Sequence, residues 1–308
     1  MIVQISAIIC THNRAKYLHK AIQSLVEQTL NRELYEILVI DNRSSDNTKQ
    51  VVTEEFAHVG NLRYLYEPIL GLSQARNTGW QQAKGEYVAY LDDDAIAYPP
   101  WLENILTAFK TITPQPGCVG GKIEPIWEDQ KPDWLPPQFL PYLTIIDWSD
   151  VPIILDSNQY IGGANMAFPK FLLAAVGGFD INLGRRGRNL MSNEELLMRD
   201  LLKERDYAIY YDPAICVRHH IDPSRLTKDW FIQRHYWQGV SDAVTLIRRQ
   251  SLNVRQRISL GMTKLNKLLK SPKKFAYLVL PTPNVNRLWL KCDTWKQLGY
   301  IWGLLSEQ

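Results

Sequence analysis

Short apolar runs that alternate with segments of helical spacing are the feature that most constrains the fold of this chain. The run "QISAIIC" stops at the polar turn "THNR", and "AKYLHKAIQSLVEQTL" follows with Leu18, Ile22, Leu25 and Val26 at helical spacing. The runs "YEILVID" and "GEYVAYLD" end on aspartates, and a third candidate strand, "LRYLYEP", lies between them in the sequence. Strands that alternate with helices up to about residue 110 predict βαβ units and a parallel sheet.

The composition is that of a folded protein with a full-sized core. Of the 308 residues, 45% are hydrophobic and 22% are charged, which excludes disorder by composition. The four cysteines are widely separated and form no CxxC pair, so we expect a reduced cytosolic chain without a disulfide framework or a cysteine zinc site. The chain contains no stretch typical of a signal peptide and no run of about 18 apolar residues, so we expect no membrane-spanning helix.

Charge is unevenly distributed along the chain. The formal net charge is +3, yet the segment from Ser251 to the end has ten lysines and arginines against Asp293 and Glu307. These cations alternate with Trp, Tyr and Leu, a pattern typical of helices that lie on an anionic membrane surface. The alternative is an amphipathic helical cap that packs on the rest of the chain or on another subunit.

Three adjacent aspartates, Asp92, Asp93 and Asp94, directly follow the apolar run in "YLDDDAIAYPP". In an extended segment the outer two would point the same way and could share one cation, with the middle one on the opposite face. Mg²⁺ and Mn²⁺ prefer oxygen ligands and often bridge carboxylates to substrate phosphates. The alternative is a solvated turn that caps a helix beginning near Pro99. The position at the end of a strand favours the cation site.

Two further residues could contact a nucleotide. Asp41 also closes a strand, where its carboxylate could accept hydrogen bonds from a base or ribose; an Asx turn with Asn42 and Ser44 is the alternative. The stretch "ARNTG" places Arg76 at the predicted start of a helix, where a diphosphate would be attracted by the guanidinium and by the helix N-terminus. A surface salt bridge is the alternative for Arg76.

The ordered set "CTHNR", "VIDNRSSDNT", "ARNTG" and "GEYVAYLDDD" resembles the family 2 glycosyltransferases, inverting enzymes of the GT-A fold that use nucleotide-diphosphate sugars. The resemblance covers roughly residues 3 to 245. It implies an α/β, Rossmann-like domain with a central, mainly parallel sheet flanked by helices. We expect a GT-A domain at 1–245, with a nucleotide-binding half at about 1–115 and an acceptor half at about 116–245, followed by a basic amphipathic helical extension at 246–308.

The resemblance implies a nucleotide pocket on the first half of the chain. It assigns Thr11, Asn13 and Asp41 to the lining of this pocket, with Asp41 binding the base. It places Arg76 beside the donor. The family often has a second aspartate directly after the one that binds the base, and this chain has Asn42 at that position.

The resemblance also implies a metal site. Asp92 and Asp94 would form the metal and diphosphate site of the DxD signature, and Asp93 would face the donor sugar or ribose. A histidine after the last core strand often completes this site in the family, and "CVRHHID" offers His219 as first choice and His220 as second. A purely structural histidine is the alternative.

Two further stretches resemble the acceptor side of the family. "YIGGANMAF" resembles the glycine loop that lines the sugar pocket, where Gly162 and Gly163 would let the backbone approach a ligand; a tight bend before a helix is the alternative. "SNEELLMRDL" resembles the Glu-Asp segment whose second acid is the catalytic base. The pair here is Glu194 and Glu195, so we assign the base to Glu195 with Glu194 as the alternative. The structural alternative is that both glutamates are exposed acids at a helix N-terminus, where the helix dipole favours them.

The basic loop "GRRGRN" precedes these acids and contains Arg185, Arg186 and Arg188. It could close over the diphosphate or hold an anionic acceptor such as a lipid phosphate, or it could be a flexible basic loop.

These features together predict a metal-dependent inverting glycosyltransferase that uses Mn²⁺ or Mg²⁺. It would move a single sugar from a nucleotide-diphosphate donor, with a UDP-sugar as first choice, to an acceptor hydroxyl in surface polysaccharide, glycolipid or glycoprotein assembly. The stretch "QRHYWQG" does not match the QxxRW motif of processive members, so we expect a non-processive enzyme. The alternatives are a nucleotidyltransferase that makes a nucleotide sugar and a non-catalytic nucleotide-sugar-binding module.

The expected partners are a nucleotide sugar and a glycan or lipid-linked acceptor, and we expect no nucleic acid. Residues 251–308 would make a peripheral membrane contact. The expected location is the cytoplasm, with peripheral attachment to the inner face of the plasma membrane.

Overall fold

The computed structural model describes residues 2–187 and 189–306. The chain divides into two compact units. Unit 1 comprises Met1–Ile126, Thr144–Phe179 and Glu195–His220, and unit 2 comprises Trp127–Leu143, Asp180–Glu194 and Ile221–Gln308. The predicted boundary at residue 245 stays a prediction.

A mixed β-sheet is the centre of unit 1. Among the described residues its nine strands are β1 (Ile5–Thr11), β2 (Tyr35–Asp41), β3 (Leu62–Tyr66), β4 (Tyr87–Asp92), β5 (Ala95–Ala97), β6 (Cys118–Trp127), β7 (Ile153–Ile154), β8 (Asn165–Pro169) and β9 (Ile209–Ile221). Their order is β3-β2-β1-β4-β8-β6-β9-β5, and β7 pairs with β9. Strands β3, β2, β1 and β4 are parallel, and β8 joins β4 in antiparallel orientation. The predicted α/β class with its parallel strands is confirmed.

The register of the parallel strands determines where their polar ends lie. β1 pairs with β2 so that Thr11 is opposite Asp41, and it pairs with β4 so that Cys10 is opposite Asp92. The strands are buried along almost their whole length, as expected for parallel strands covered on both faces. The side chains that end these strands therefore lie at one edge of the sheet.

Unit 1 also contains the helices that support this edge. They are α1 (Ala15–Val26), α2 (Thr48–Gln50, continued by a π-helical turn at Val51–Glu55), α3 (Leu72–Gln82), α4 (Trp101–Thr111) and α5 (Lys170–Val176). Helix α6 (Glu194–Lys203) begins where the two units meet in sequence. Leu18, Ile22 and Leu25 of α1 are buried, which agrees with the spacing of these residues in the sequence. A short 3-10 helix, Arg32–Leu34, precedes β2.

One detail of the predicted elements is wrong. The aspartate triplet is not extended, because β4 ends at Asp92, Asp93 and Asp94 form a turn, and β5 begins at Ala95. The alternation of an extended strand therefore does not separate the three carboxylates.

Unit 2 is helical in its described part. Its helices are α7 (Lys228–Gln250), α8 (Val254–Leu269), α9 (Pro272–Val279) and α10 (Val285–Leu305), with 3-10 helices at Pro137–Leu143 and Pro223–Arg225. Thr227, Asn253 and Asn284 cap α7, α8 and α10, because each side-chain oxygen accepts a backbone N–H of the first turn. No helix within residues 2–187 and 189–306 is both long and apolar enough to cross a membrane.

Helices α7 and α10 approach so closely that their backbones touch. A Cβ added at Gly299 would lie 1.9 Å from the carbonyl oxygen of Tyr236, and one added at Gly239 would lie 1.9 Å from that of Lys296. Glycine at both positions is therefore a packing requirement. This crossing brings α10 into the core of unit 2, where Leu288, Cys292 and Leu304 are buried.

Aromatic side chains of the segment Trp127–Leu143 pack on α7. Phe139 stacks on Phe231 with 4.9 Å between ring centroids, and Tyr142 lies 4.1 Å from the ring of His235. The His235 Nδ1–H donates to the carbonyl oxygen of Phe231 at 2.7 Å. Burial lowers the pKa of His235 to about 4, although this hydrogen bond acts in the opposite direction.

We expect Gly299→Ala to destabilise unit 2 because its methyl group would overlap the Tyr236 carbonyl, which cannot move without shifting α7. The expected loss is about 1–3 kcal/mol in the free energy of unfolding, measured by urea denaturation. Gly60→Ala is the control, since a Cβ there meets nothing within 4 Å. Equal unfolding midpoints for the two variants would contradict the close crossing.

The buried His235 also predicts a pH dependence of stability. Its pKa is about 4 in the folded chain against an ordinary 6.5, so the unfolded chain binds more protons below pH 6.5 and stability falls as the pH falls. Between pH 7 and pH 5 this side chain should cost about 2 kcal/mol. Urea unfolding of His235→Gln should therefore show a smaller loss than wild type. An unchanged slope in His235→Gln would refute the assignment.

Candidate active site

Asp92, Asp94 and His219 lie together at the end of β4. Ala95 of β5 pairs with His219 of β9, and this antiparallel pairing brings the histidine beside the aspartates. Each of the three residues offers one ligand atom, and these atoms lie within 4.8 Å of one another. The His219 Nε2 is 3.1 Å from Asp94 Oδ1, and both side chains are buried. The neighbouring His220 ring lies instead against Tyr17, with 5.2 Å between centroids.

This cluster fits a divalent cation. Two carboxylate oxygens and one imidazole nitrogen suit Mn²⁺, and the carboxylates also suit Mg²⁺. Neighbouring ligands of an ion with bonds of about 2.1 Å lie roughly 3–4 Å apart, so the separations allow one shared ion. The residues present can therefore hold the metal that the sequence analysis expects.

The Arg14 guanidinium balances the negative charge of Asp93 and Asp94. Its Nε lies 3.3 Å from Asp93 Oδ1, and its guanidinium also donates to Asp94 Oδ2. Burial raises the pKa of Asp93 to about 7, Arg14 opposes that rise, and the charge of Asp94 adds to it. A cation bound by the neighbouring aspartates would lower this pKa. Sequence reasoning missed Arg14, although its position three residues after β1, in "THNR", places it at the same sheet edge.

The Asp41 carboxylate is buried and already accepts two hydrogen bonds. The Ser44 N–H donates to Oδ1 at 2.8 Å, and the Tyr64 hydroxyl donates to Oδ2 at 2.7 Å. The Asx turn proposed as an alternative is therefore present, and it fixes the orientation of the carboxylate without using all its acceptor sites. Tyr64 was not found from the sequence, because only the pairing of β3 with β2 brings it to Asp41.

Asn13 connects the end of β1 with the loop that follows Asp41. Its φ of 54° lies in the left-handed region, which asparagine tolerates. The Ser45 N–H donates to Asn13 Oδ1 at 2.7 Å, and the Asn13 N–H donates to Ser44 Oγ at 3.0 Å. The two loops therefore hold each other, and Thr11 and Asn13 border the same edge as Asp41.

Asn42 fastens the loop that follows β3. Its Nδ2 donates to the carbonyl oxygens of Ile69 at 2.7 Å and Glu67 at 3.2 Å, and its Oδ1 accepts the Gly71 N–H at 2.7 Å. An aspartate could not make both donations. The asparagine that departs from the family pattern thus has a structural function in this chain.

Arg76 is buried, with 2% of its surface exposed, in the second turn of α3. The prediction that it stands at a helix N-terminus is wrong, because α3 begins at Leu72, and the surface salt bridge offered as an alternative is also wrong. Its Nη2 lies 3.6 Å from Asp92 Oδ1 and donates to the carbonyl oxygen of Gly163 at 3.3 Å. The guanidinium also lies 5.5 Å from the Phe179 ring. Packing thus brings this cation to the acidic cluster.

The two glycines of "YIGGANMAF" are both tightly enclosed. A Cβ at Gly163 would lie 2.6 Å from Arg76 Nη2, and a Cβ at Gly162 would lie 2.8 Å from the side chains of Ile123 and Ile146. Gly163 thus leaves the space that the Arg76 guanidinium occupies. Packing alone therefore explains why both positions are glycine, whether or not a ligand binds nearby.

Glu194 and Glu195 are the first two residues of α6, and Glu194 is buried whereas Glu195 is half-buried. Within unit 2, Asn193 has a φ of 75° and donates to Asp242 Oδ1 at 2.9 Å. The Gln238 amide donates to Asn193 Oδ1 at 2.7 Å. These bonds to α7 fix the residue that directly precedes the acidic pair.

The basic loop is described only in part. The Arg186 N–H donates to Asn189 Oδ1 at 2.9 Å, and its guanidinium donates to the carbonyl oxygen of Ile181 at 3.2 Å. Arg188 lies outside the described residues.

Solved structures of complexes with nucleotide sugars have a similar fold. The mannosyltransferase PcManGT from Pyrobaculum calidifontis, in complex with GDP-Man and Mn²⁺, aligns over 99% of this chain and 88% of its own, with a TM-score of 0.64 and 18% identity. S. aureus TarS 1-349 in complex with UDP-GlcNAc aligns over 94% of this chain and 79% of its own, with a TM-score of 0.55 and 17% identity. The sheet and its acidic edge thus define a GT-A fold, as the sequence predicted.

Sequence comparison gives the family. Residues 6–168, more than half of the chain, match Glycosyl transferase family 2, so the chain belongs to this family. The glucosyl-dolichyl phosphate glucuronosyltransferase of Haloferax volcanii is 26% identical over 246 residues, which is 79% of this chain and 77% of that protein. The protein is a nucleotide-sugar glycosyltransferase; neither a nucleotidyltransferase nor a non-catalytic binding module is supported.

We expect Asn42→Asp to lower stability by about 2 kcal/mol, because a carboxylate would face the carbonyl oxygens of Glu67 and Ile69 where two hydrogen bonds were donated. Urea unfolding at pH 7 measures the change. Asn47→Asp is the control, since Asn47 is exposed and makes no side-chain capping bond. If the two variants unfold at the same urea concentration, Asn42 does not fasten the loop.

Proposed function

We propose that this protein is a metal-dependent, inverting, non-processive glycosyltransferase that moves one sugar per encounter from a nucleotide-diphosphate donor to an acceptor hydroxyl. The observation that carries the proposal is the cluster of Asp92, Asp94 and His219 at the strand ends of a family 2 chain. We further propose that 1–245 is the GT-A domain, with a donor half at about 1–115, and that 246–308 is its extension.

The proposed donor site lies at the carboxyl edge of the parallel strands. Thr11, Asn13 and Asp41 border the nucleotide, with Asp41 accepting a hydrogen bond from the base through acceptor sites that Ser44 and Tyr64 leave open. Asp93 faces the donor sugar or ribose. The support is the register that places Thr11 beside Asp41.

Asp92, Asp94 and His219 would hold Mn²⁺ or Mg²⁺. When bound, the cation supplies positive charge against the leaving diphosphate. Arg76 contributes a second, fixed positive charge, because its guanidinium is buried beside Asp92 and cannot turn away into solvent. Arg14 reduces the repulsion between Asp93 and Asp94, because its guanidinium contacts both carboxylates.

Glu195 is the proposed catalytic base. As the acceptor oxygen bonds to the anomeric carbon, the bond from that carbon to the diphosphate oxygen breaks and the hydroxyl proton passes to the Glu195 carboxylate. Attack opposite the leaving group inverts the configuration. The half-buried position of Glu195 supports the choice, since a base must reach the acceptor, while Glu194 is buried and remains the alternative. Gly162 and Gly163 would border the acceptor side.

The relatives support a nucleotide-sugar donor and a lipid-linked acceptor, and we propose a UDP-sugar as the first choice of donor. The name of the Haloferax protein gives a dolichyl phosphate-linked sugar as its acceptor, and one structure of the same fold contains UDP-GlcNAc. We therefore propose a role in surface polysaccharide, glycolipid or glycoprotein assembly, with residues 251–308 in peripheral contact with the inner face of the plasma membrane. The many cations of this segment suit the anionic lipids of that leaflet.

The test is release of nucleoside diphosphate from a panel of UDP-, GDP- and dTDP-sugars in Mn²⁺, Mg²⁺ or EDTA. We expect one donor to be turned over only with metal, and Asp94→Ala to abolish turnover and metal binding. Glu195→Gln should lower the rate of transfer about a hundredfold or more while donor affinity stays unchanged, because only the proton acceptor is lost.

Matched controls separate these effects from loss of fold. Asp129→Ala and Glu55→Gln change exposed acids and should leave turnover as in wild type. If Glu194→Gln abolishes transfer and Glu195→Gln does not, the base is Glu194. Donor turnover that persists in EDTA would overturn the metal dependence.

A further inference from the structure

The helices of the basic C-terminal segment differ in how they pack. Helix α10 crosses α7 through Gly299 and Gly303 and buries Leu288, Ile301 and Leu304. Its other side keeps Trp289, Leu290, Trp302 and Leu305 exposed at 39% to 58%. The apolar pattern of α10 is therefore a packing pattern on one side only.

Helix α8 packs on α10 through one side only. Gly261 faces Leu305, where an added Cβ would lie 2.9 Å from the leucine side chain, and Leu268 is buried on the same side. The Arg257 guanidinium donates to the carbonyl oxygens of Leu304 and Ser306 at the end of α10. These contacts determine which side of α8 faces outward.

The exposed side of α8 carries a row of apolar side chains, which together with two on α9 is called the α8–α9 stripe below. Val254, Ile258, Met262 and Leu269 follow the spacing of one helix face, and 46% to 65% of each is exposed. The stripe continues on α9 through Phe275 and Val279, and 83% of Val279 is exposed. Within the described part of the chain these side chains stay open to solvent.

The charge around the stripe is mainly positive. Between residues 254 and 280 there is no Asp or Glu. The same segment contains the cations Arg255, Arg257, Lys264, Lys267, Lys270, Lys273 and Lys274. The Lys274 Nζ lies 3.6 Å from Asp293 Oδ2 of α10. An apolar face bordered mainly by cations is complementary to a surface that is apolar inside and anionic outside. A second copy of this chain would place like charges against one another.

We propose that the α8–α9 stripe is the surface on which this protein docks to an anionic lipid bilayer, with Ile258, Met262 and Val279 entering the acyl boundary and the lysines contacting lipid phosphates. Helix α10 supports this surface through its contacts with α8. The inference rests on the proposed lipid-linked acceptor. It assigns the membrane contact to the exposed apolar face of residues 254–280, which is one part of the segment 251–308.

The experiment measures flotation of the full chain with vesicles of equimolar phosphatidylcholine and phosphatidylglycerol, and with phosphatidylcholine vesicles alone. Wild type should float with the anionic vesicles, less in high salt, and weakly with the neutral ones. The variant Ile258→Glu/Met262→Glu/Val279→Glu should bind the anionic vesicles at least about tenfold more weakly, since it places charges in the apolar boundary. Lys267→Gln/Lys270→Gln/Lys273→Gln removes three of the seven cations and should bind more weakly, with a smaller salt dependence.

The control is Val151→Glu/Ile154→Glu/Phe171→Glu, which adds three glutamates at similarly exposed apolar positions of unit 1 and should float as wild type does. Release of nucleoside diphosphate without vesicles checks that each variant is folded, and all of them should match wild type. Floating of the triple glutamate variant as well as wild type would overturn the proposal. So would a wild type that ignores vesicles but dimerises through the stripe in light scattering. Loss of flotation with normal turnover concerns docking alone, whereas flotation without turnover by any donor would instead refute the proposed function.

Discussion

The burial of several like charges at one sheet edge is the constraint on which the site depends. Parallel pairing of β1 with β2 and β4 brings Asp41 and Asp92 to the same edge, and the turn after β4 adds Asp93 and Asp94. Carboxylates this close repel one another, and burial makes the repulsion stronger. Arg14, Arg76 and His219 surround them, so each acid has a cation or a potential donor as neighbour. Such an arrangement is stable only because other parts of the fold hold the cations in place.

Arg76 shows how the second half of the chain takes part in this balance. Its guanidinium reaches Asp92 from α3 because Gly163, almost ninety residues later, has no side chain to occupy the same space. The carbonyl oxygen of Gly163 also accepts a hydrogen bond from Arg76. Substitution at a glycine that contacts no ligand would therefore move a cation of the site. The packing around Gly163 therefore also determines where a positive charge lies in the site.

Much of the fold and of the site could be predicted from the chain alone. The strand ends at Asp41 and Asp92 were identified because apolar runs terminate there, and the order of motifs gave the family and with it the GT-A fold. Arg14 and Tyr64 were missed because neither belongs to a pattern of its own. Arg14 acts through two residues about eighty positions away, and Tyr64 reaches Asp41 only by the register of β3. The turn at Asp93 was only the alternative in the sequence analysis, because a triplet of identical residues does not itself show where a strand stops.

The basic segment from Ser251 onward also shows which contacts a sequence alone does not reveal. Its composition predicts amphipathic helices equally well over α8 and α10, and the two differ only in what covers them. Glycines at the crossing let α7 approach α10, so the apolar residues on one side of α10 enter a core, while α8 touches α10 through one narrow side. The sequence by itself determined the α/β class, the acidic strand ends and the cationic tail, because periodicity and charge are local properties of the chain. Only the tertiary structure decided which cation meets which carboxylate and which helix face stays exposed, because those contacts join residues far apart in sequence and depend on register and close packing.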